Sequence, residues 1–247
     1  MKIYVVGIGP GKEDMMTVRA LNVLDECDVI IGYTTYLKLL TDRFESKELL
    51  STPMGKEEER CRLAFDKAKE GKKTAIICSG DAGIYGMASL MYEIGRDEKD
   101  MEIEVVPGVS ALSSGAALLG APINNDFCVI SLSDYLNTWD MITKRLKAAA
   151  EADFAIVLYN PSSSKRKDYL QKACDILLET LKPDTCCGIA TDIGREGESI
   201  TLLSLEELRN AETNMFSTVF ITNSTGDIIN GNLITKRGYP SEVNRGK

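Results

Sequence analysis

The chemistry open to this chain is defined first by a residue it lacks: there is no histidine among its 247 residues. Ser-His-Asp and Cys-His nucleophiles and histidine-ligated zinc are thereby excluded. What is left is chemistry that runs on carboxylates, hydroxyls, backbone amides or a reactive cofactor. The cysteines, Cys27, Cys61, Cys78, Cys128, Cys174, Cys186 and Cys187, are odd in number and lie mostly in apolar segments, so reduced thiols are expected. Adjacent Cys186 and Cys187 suggest a redox or metal pair, but a strand would turn them to opposite faces, and no metal site is expected.

Three segments have the composition of ligand loops: Gly7-Ile8-Gly9-Pro10-Gly11, Ser79-Gly80-Asp81-Ala82-Gly83-Ile84-Tyr85-Gly86 and Pro107-Gly108-Val109-Ser110-Ala111. Each follows a β-branched apolar run, which puts it at the carboxyl end of a buried strand, where open α/β sheets bind ligands. The first loop superficially suggests a dinucleotide fingerprint. Its spacing fails, because proline stands where the loop must approach a pyrophosphate and Lys12 follows Gly11, so a nicotinamide cofactor is disfavoured. In the second loop Asp81 fits a helix N-cap as well as a ligand contact. The three loops are expected to converge on one crevice.

The elements that must hold these loops can be read from periodicity. Strands are expected at 3–8, 28–32, 74–78 and 102–106, with helices from Thr17, from Lys56 toward Gly71 and over 87–94, which makes about four parallel strands by residue 106. Beyond the small-residue stretch 109–122 the signals start afresh. Strands are expected at 127–131, 154–158, 187–190, 199–203 and 218–222, and helices over 139–150, 165–181 and 205–210. The fold class is α/β, with two α/β domains, 1–118 and 119–247, carrying mostly parallel or mixed sheets and a junction near 115–125. The polar tail after Gly231 is expected to be mobile.

Composition narrows the partners. With 44% hydrophobic residues the chain can bury a substantial core, and a formal net charge of −8 provides no general attraction for nucleic acid or an anionic membrane. The apolar opening is too short for a signal peptide and nowhere do about 18 apolar residues run together, so a soluble cytoplasmic protein is expected.

The loops together carry a resemblance. G-x-G-P-G after the first strand, G-D-x-x-x-Y-G and P-G-[VI]-[ST]-[SA] stand here as Gly7–Gly11, Gly80–Gly86 and Pro107–Ala111, in the order and spacing of the tetrapyrrole methylase family. The chain resembles that family over essentially its whole length. It is most similar to the branch that methylates C17 of precorrin-3B or its cobalt-containing counterpart in cobalamin biosynthesis, through Gly32-Tyr33-Thr34-Thr35-Tyr36, Ile130-Ser131-Leu132-Ser133-Asp134 and Leu158-Tyr159-Asn160-Pro161. The resemblance implies S-adenosylmethionine in the cleft between the two domains. Pro10, Gly80, Asp81, Ile84, Tyr85, Ser110 and Ala111 would contact it from the first domain, and Tyr159, Asn160 and Ala190 from the second. It also implies a corrin-precursor substrate and a homodimer.

A methylsulfonium needs no protein nucleophile, so the missing histidine is no obstacle. Ring contraction, which accompanies C17 methylation in that branch, does move protons. Asp134, Tyr33, Tyr36 and Asp192 are the candidates, each with an alternative as a cap or solvated side chain. A carboxylate-rich substrate bound by an acidic protein needs local cations, and Lys165, Arg166 and Arg195 are the expected ones, with Lys167 read as a surface residue. The competing readings are a sister methylase acting at C11 or C20 and a cofactor-binding protein without turnover.

Overall fold

The computed structural model describes residues 1–40, 42–163 and 166–239. The chain forms two compact units, Met1–Ala111 and Leu112 onward. The first runs β1 (Lys2–Gly7), α1 (Val18–Glu26), β2 (Val29–Tyr33), α2 (Thr34–Leu37), β3 (Glu48–Thr52), α3 (Glu57–Lys69), β4 (Thr74–Cys78), α4 (Ala88–Ile94) and β5 (Glu102–Val106). All five strands are parallel, in the order β3-β2-β4-β1-β5.

The central strands are apolar over most of their length because both faces are covered. Ile3, Val5, Ile31 and Ile76 pack with Cys61, Phe65 and Met91 of α3 and α4, while Val6, Ile8, Ile30 and Ile77 pack with Ala20, Val23 and Leu24 of α1. Thr17 opens α1 by accepting a hydrogen bond from the Ala20 N–H at 3.1 Å, a cap that contributes about 1 kcal/mol. Parallel pairing brings the carboxyl ends of all five strands to one edge, so the three glycine loops share it.

The second unit contains α5 (Ala111–Leu119), β6 (Gly120–Ala121), β7 (Phe127–Ser131), α6 (Trp139–Glu151), β8 (Ala155–Tyr159), α7 (Tyr169–Leu177), β9 (Cys186–Thr191), β10 (Ser199–Ser204), α8 (Leu205–Leu208), β11 (Ser217–Ile221), β12 (Gly226–Ile229) and β13 (Asn232–Thr235). Its main sheet is mixed, in the order β10-β9-β11-β8-β7. β7 pairs parallel with β8, whereas β8–β11, β11–β9 and β9–β10 are antiparallel, so β7, β8 and β9 end at the same edge. One face buries Ile142, Leu146, Leu170, Ala173, Leu177, Leu205 and Leu208 against Ile156, Leu158, Ile189 and Val219.

Two expectations, on a helix and on the tail, are corrected. The stretch 109–122 contains helix α5, and the two compact units divide at Ala111/Leu112, beside the expected boundary at 118/119. The small residues there serve close packing: a Cβ on Gly115 would lie 3.0 Å from the Phe220 ring, and one on Gly188 2.7 Å from Leu119. The helix expected over 165–181 begins only at Tyr169 and closes at Leu177, with a turn ahead of Pro183. The tail is not without structure throughout: β13 pairs with β12 and β6, burying Leu233 and Thr235 completely, and the Thr235 hydroxyl donates to the Pro122 carbonyl. Alternating Leu233 and Thr235 carried that signal, hidden by their polar neighbours. Among the described residues no helix is long and apolar enough to cross a membrane.

Candidate functional site

In the first unit the glycine loops meet backbone to backbone. Gly9 and Gly80 exchange hydrogen bonds, N–H to carbonyl, at 3.1 and 2.7 Å. A Cβ on Gly7 would sit 2.7 Å from both the Gly80 oxygen and the Gly108 nitrogen, and one on Gly108 would overlap the Gly80 carbonyl oxygen and lie 2.6 Å from the Gly7 carbonyl carbon. Gly9 and Gly80 also take left-handed dihedrals, φ 75° and 69°, which glycine adopts without strain.

Asp81 ties the arrangement together. One carboxylate oxygen accepts from the N–H groups of Gly83 at 2.8 Å and Ile84 at 3.2 Å, closing the turn, and the other accepts from the Gly108 N–H at 2.9 Å. The carboxylate therefore joins the second loop to the third. Beyond it, Tyr85 holds φ 55°, a conformation that costs a side-chain-bearing residue about 1 kcal/mol or more. Ile84 and Tyr85 are exposed, whereas Pro10 and Ser110 are buried and Ala111 half-buried.

Cys78, at the end of β4, accepts from the Met87 N–H at 3.3 Å. Burial pushes the Cys78 and Cys128 thiols up to about 11 and those of Cys27, Cys61 and Cys174 up to about 12. All seven cysteines are unbridged, and these five stay protonated near neutrality, which removes them as nucleophiles.

Tyr33 and Tyr36 lie edge to face with ring centroids 5.1 Å apart at the end of β2. Beneath Tyr33 is a residue the sequence reading missed. Arg60 is 4% exposed, its guanidinium 6.0 Å from the Tyr33 ring centroid, donating to the Thr52 hydroxyl at 2.8 Å and the Pro53 carbonyl at 3.1 Å. A run of charges, Glu57-Glu58-Glu59-Arg60, reads as a solvated face. The available signal was the helical stripe Arg60, Cys61, Ala64, Phe65, Ala68, which is buried throughout.

In the second unit the candidates come from the ends of β7, β8 and β9. The Tyr159 hydroxyl accepts from the Leu112 N–H at 2.8 Å, fixing the start of α5. Asn160, at φ 54°, donates its side-chain N–H to the Ser131 hydroxyl at 2.9 Å. Ala190 is fully buried and flanked by Ile200 and Thr218 on both sides of β9. Asp192 takes φ 52° and its carbonyl accepts from the Arg195 N–H at 2.9 Å, while the Arg195 guanidinium sits 4.7 Å from the Phe216 ring centroid. Asp134 follows β7 and Asp192 follows β9, with β8 and β11 between those strands.

Asp134 accepts from the Tyr169 hydroxyl at 2.6 Å and from Arg166 at 3.1 Å. The Tyr169 hydrogen bond, followed by Arg166, holds its carboxyl below the ordinary 3.8. Arg166, expected to meet substrate, pairs with Asp134 at a partly exposed position, and its Nε is buried without a partner among the described residues. Lys165 lies outside the described residues. A carboxyl depressed in the folded state contributes stability that is present above its unfolded pKa and lost as pH falls through its folded value. Asp134→Asn should therefore lower Tm at neutral pH, and the difference from the parent protein should close as pH falls through and below the ordinary carboxylate range. Thermal melts of both proteins across pH check this; a difference independent of pH would exclude the ion pair as its source.

Residues 2–209 match the model of the tetrapyrrole (corrin/porphyrin) methylases. A Salmonella typhimurium protein named probable cobalt-factor III C(17)-methyltransferase is 42% identical over 96% of this chain and 99% of its own length. A Priestia megaterium protein named cobalt-factor III methyltransferase is also 42% identical, over 96% of this chain, but this chain spans only 45% of it, less than half its length. The crystal structure of the methyltransferase CobJ superposes with a TM-score of 0.88 at 32% identity, covering 95% of this chain and 99% of that one. The family match over most of the chain, together with full-length relatives on the same fold, establishes that the chain belongs to the tetrapyrrole (corrin/porphyrin) methylases.

Proposed function

We propose that this chain transfers the methyl group of S-adenosylmethionine to C17 of a corrin precursor, cobalt-factor III or its cobalt-free counterpart precorrin-3B, with contraction of the macrocycle, in cobalamin biosynthesis. The observation that carries the reading is 42% identity to the Salmonella protein over 99% of its length. The names of that protein and of the Priestia relative favour the cobalt-loaded substrate.

The glycine loops suit the donor. Gly83, Ile84 and Tyr85 are exposed at the strand-end edge, next to the backbone junction of Gly9, Gly80 and Gly108. When bound, S-adenosylmethionine supplies an electrophilic methyl on sulfur, which an electron-rich ring carbon attacks directly. The chain's own part is alignment, assigned to Pro10, Gly80, Asp81, Ile84, Tyr85, Ser110 and Ala111 and, from the second unit, Tyr159, Asn160 and Ala190. Asp81 acts in this scheme through the turn it closes. Lys165, Arg166 and Arg195 are the proposed substrate cations, Arg166 also pairing with Asp134. The protein is proposed to work as a cytoplasmic homodimer; the protonated, unbridged thiols suit a reducing compartment.

Calorimetry with S-adenosylmethionine, and mass spectrometry of cobalt-factor III and precorrin-3B after incubation with enzyme and donor, test the reading. One added methyl, with faster turnover of the cobalt-loaded substrate, is expected; donor binding without methylation of either compound overturns it. The strained turn adds a sharper test. Tyr85→Gly removes the left-handed strain but gives the unfolded chain more freedom, two effects of about 1 kcal/mol that nearly cancel. Tm should stay within a few degrees while donor affinity falls about tenfold, the loss of one aromatic contact. Equal donor affinity in the two proteins removes Tyr85 from the site.

A further inference from the structure

The segment between β7 and α6 has features that the donor site leaves unused. Tyr135 and Leu136 are 76% and 87% exposed, adjacent, and both large and apolar. Solvent-exposed apolar side chains are common singly, but this pair sits on a stiff support. On one side Asp134 is held by Tyr169 and Arg166. On the other, the Thr138 hydroxyl accepts from the Met141 N–H to cap α6, and Trp139 packs on Tyr169 with centroids 4.6 Å apart. The loop leaves the same sheet edge as Tyr159 and Asn160, and Leu132 N–H donates to the Tyr159 carbonyl at 2.9 Å.

One cation lies beside the apolar tip. Arg145, exposed on α6, lies 3.5 Å from the Asn137 side-chain oxygen, and among the described residues no carboxylate pairs with it. Lys172 is 5.1 Å from the Tyr169 ring centroid, though shared with Asp168. An apolar platform with an arginine at its edge complements a flat apolar macrocycle that carries carboxylates at its periphery.

We propose that Tyr135 and Leu136 cover a face of the tetrapyrrole and that Arg145 takes one of its peripheral carboxylates. This rests on the tetrapyrrole substrate class proposed above and deepens it by assigning substrate recognition to residues outside the donor loops. Because the three side chains are exposed, their replacement leaves the core intact, and a change in binding reports recognition directly.

The test is a fluorescence titration of the full chain with uroporphyrin I, an octacarboxylate macrocycle, with S-adenosylmethionine calorimetry in parallel. The parent protein should bind the porphyrin saturably. Leu136→Ser and Arg145→Gln should each weaken it about tenfold, Arg145→Lys should weaken it less, and donor affinity should not change. Porphyrin affinities within twofold of the parent, no saturable binding by the parent, or a Leu136→Ser protein that changes only its oligomeric state in sedimentation each overturn the assignment. Variants that lose the porphyrin while the parent methylates no corrin precursor would uphold this recognition patch and count against methyl transfer.

Discussion

Gly108→Ala should abolish donor binding and destabilise the first unit. The added methyl would overlap the Gly80 carbonyl oxygen and lie 2.6 Å from the Gly7 carbonyl carbon, backbone atoms that no rotamer change can move aside. The strand-end loops must then separate, breaking the hydrogen bond between the Gly108 N–H and Asp81. Overpacking of this kind costs about 3 kcal/mol, and a donor site built from the three loops should lose at least about a hundredfold in affinity. Gly71→Ala is the control: Gly71 has φ 84° with nothing within 4 Å of its missing Cβ, so about 1 kcal/mol of strain and no loss of binding are expected. Thermal unfolding and calorimetry on both variants measure the contrast. Donor affinity unaltered in Gly108→Ala would show that the donor site does not depend on how these loops pack.

Asp81 carries the second large effect, and two substitutions separate its possible roles. Asp81→Ala leaves the N–H groups of Gly83, Ile84 and Gly108 without their acceptor. Unmet donors in such a half-buried turn cost about 1–3 kcal/mol each in the worst case, partly relieved by water. Asp81→Asn keeps one oxygen for Gly83 and Ile84 but turns an NH2 group toward the Gly108 N–H, donor against donor. It should therefore lose most of the link to the third loop, with a drop in Tm approaching that of the alanine variant and donor affinity reduced about tenfold or more. An asparagine variant with unchanged Tm and no donor binding would instead make the carboxylate a direct ligand contact.

Much of the site was legible in the sequence because it is local. A parallel strand buried on both faces writes an uninterrupted apolar run such as Ile3–Ile8 or Thr74–Cys78, and a chain turning from it into a loop writes glycine and proline. These signals located the three loops and their common edge. Contacts between distant residues leave no such mark. Whether Asp81 caps a helix or meets a ligand could not be decided from spacing, since its partner Gly108 lies in another loop. Arg60 was hidden inside a charged run, its burial depending on Tyr33 and Thr52 of β2 and β3 and on Pro53 in the loop after β3. Arg166 read as a free cation because its acceptor, Asp134, precedes it by a whole strand and helix. Small residues in α5 suggested a break in the fold, although Gly115 is small for close packing on Ile193 and Phe220.

The central claim concerns one carbon atom. Cobalt-factor III incubated with the enzyme and S-adenosylmethionine carrying a carbon-13 methyl group should give a ring-contracted product with a single enriched resonance, coupled to C17. Enrichment at C11 or C20, or none while the donor remains bound, would contradict it.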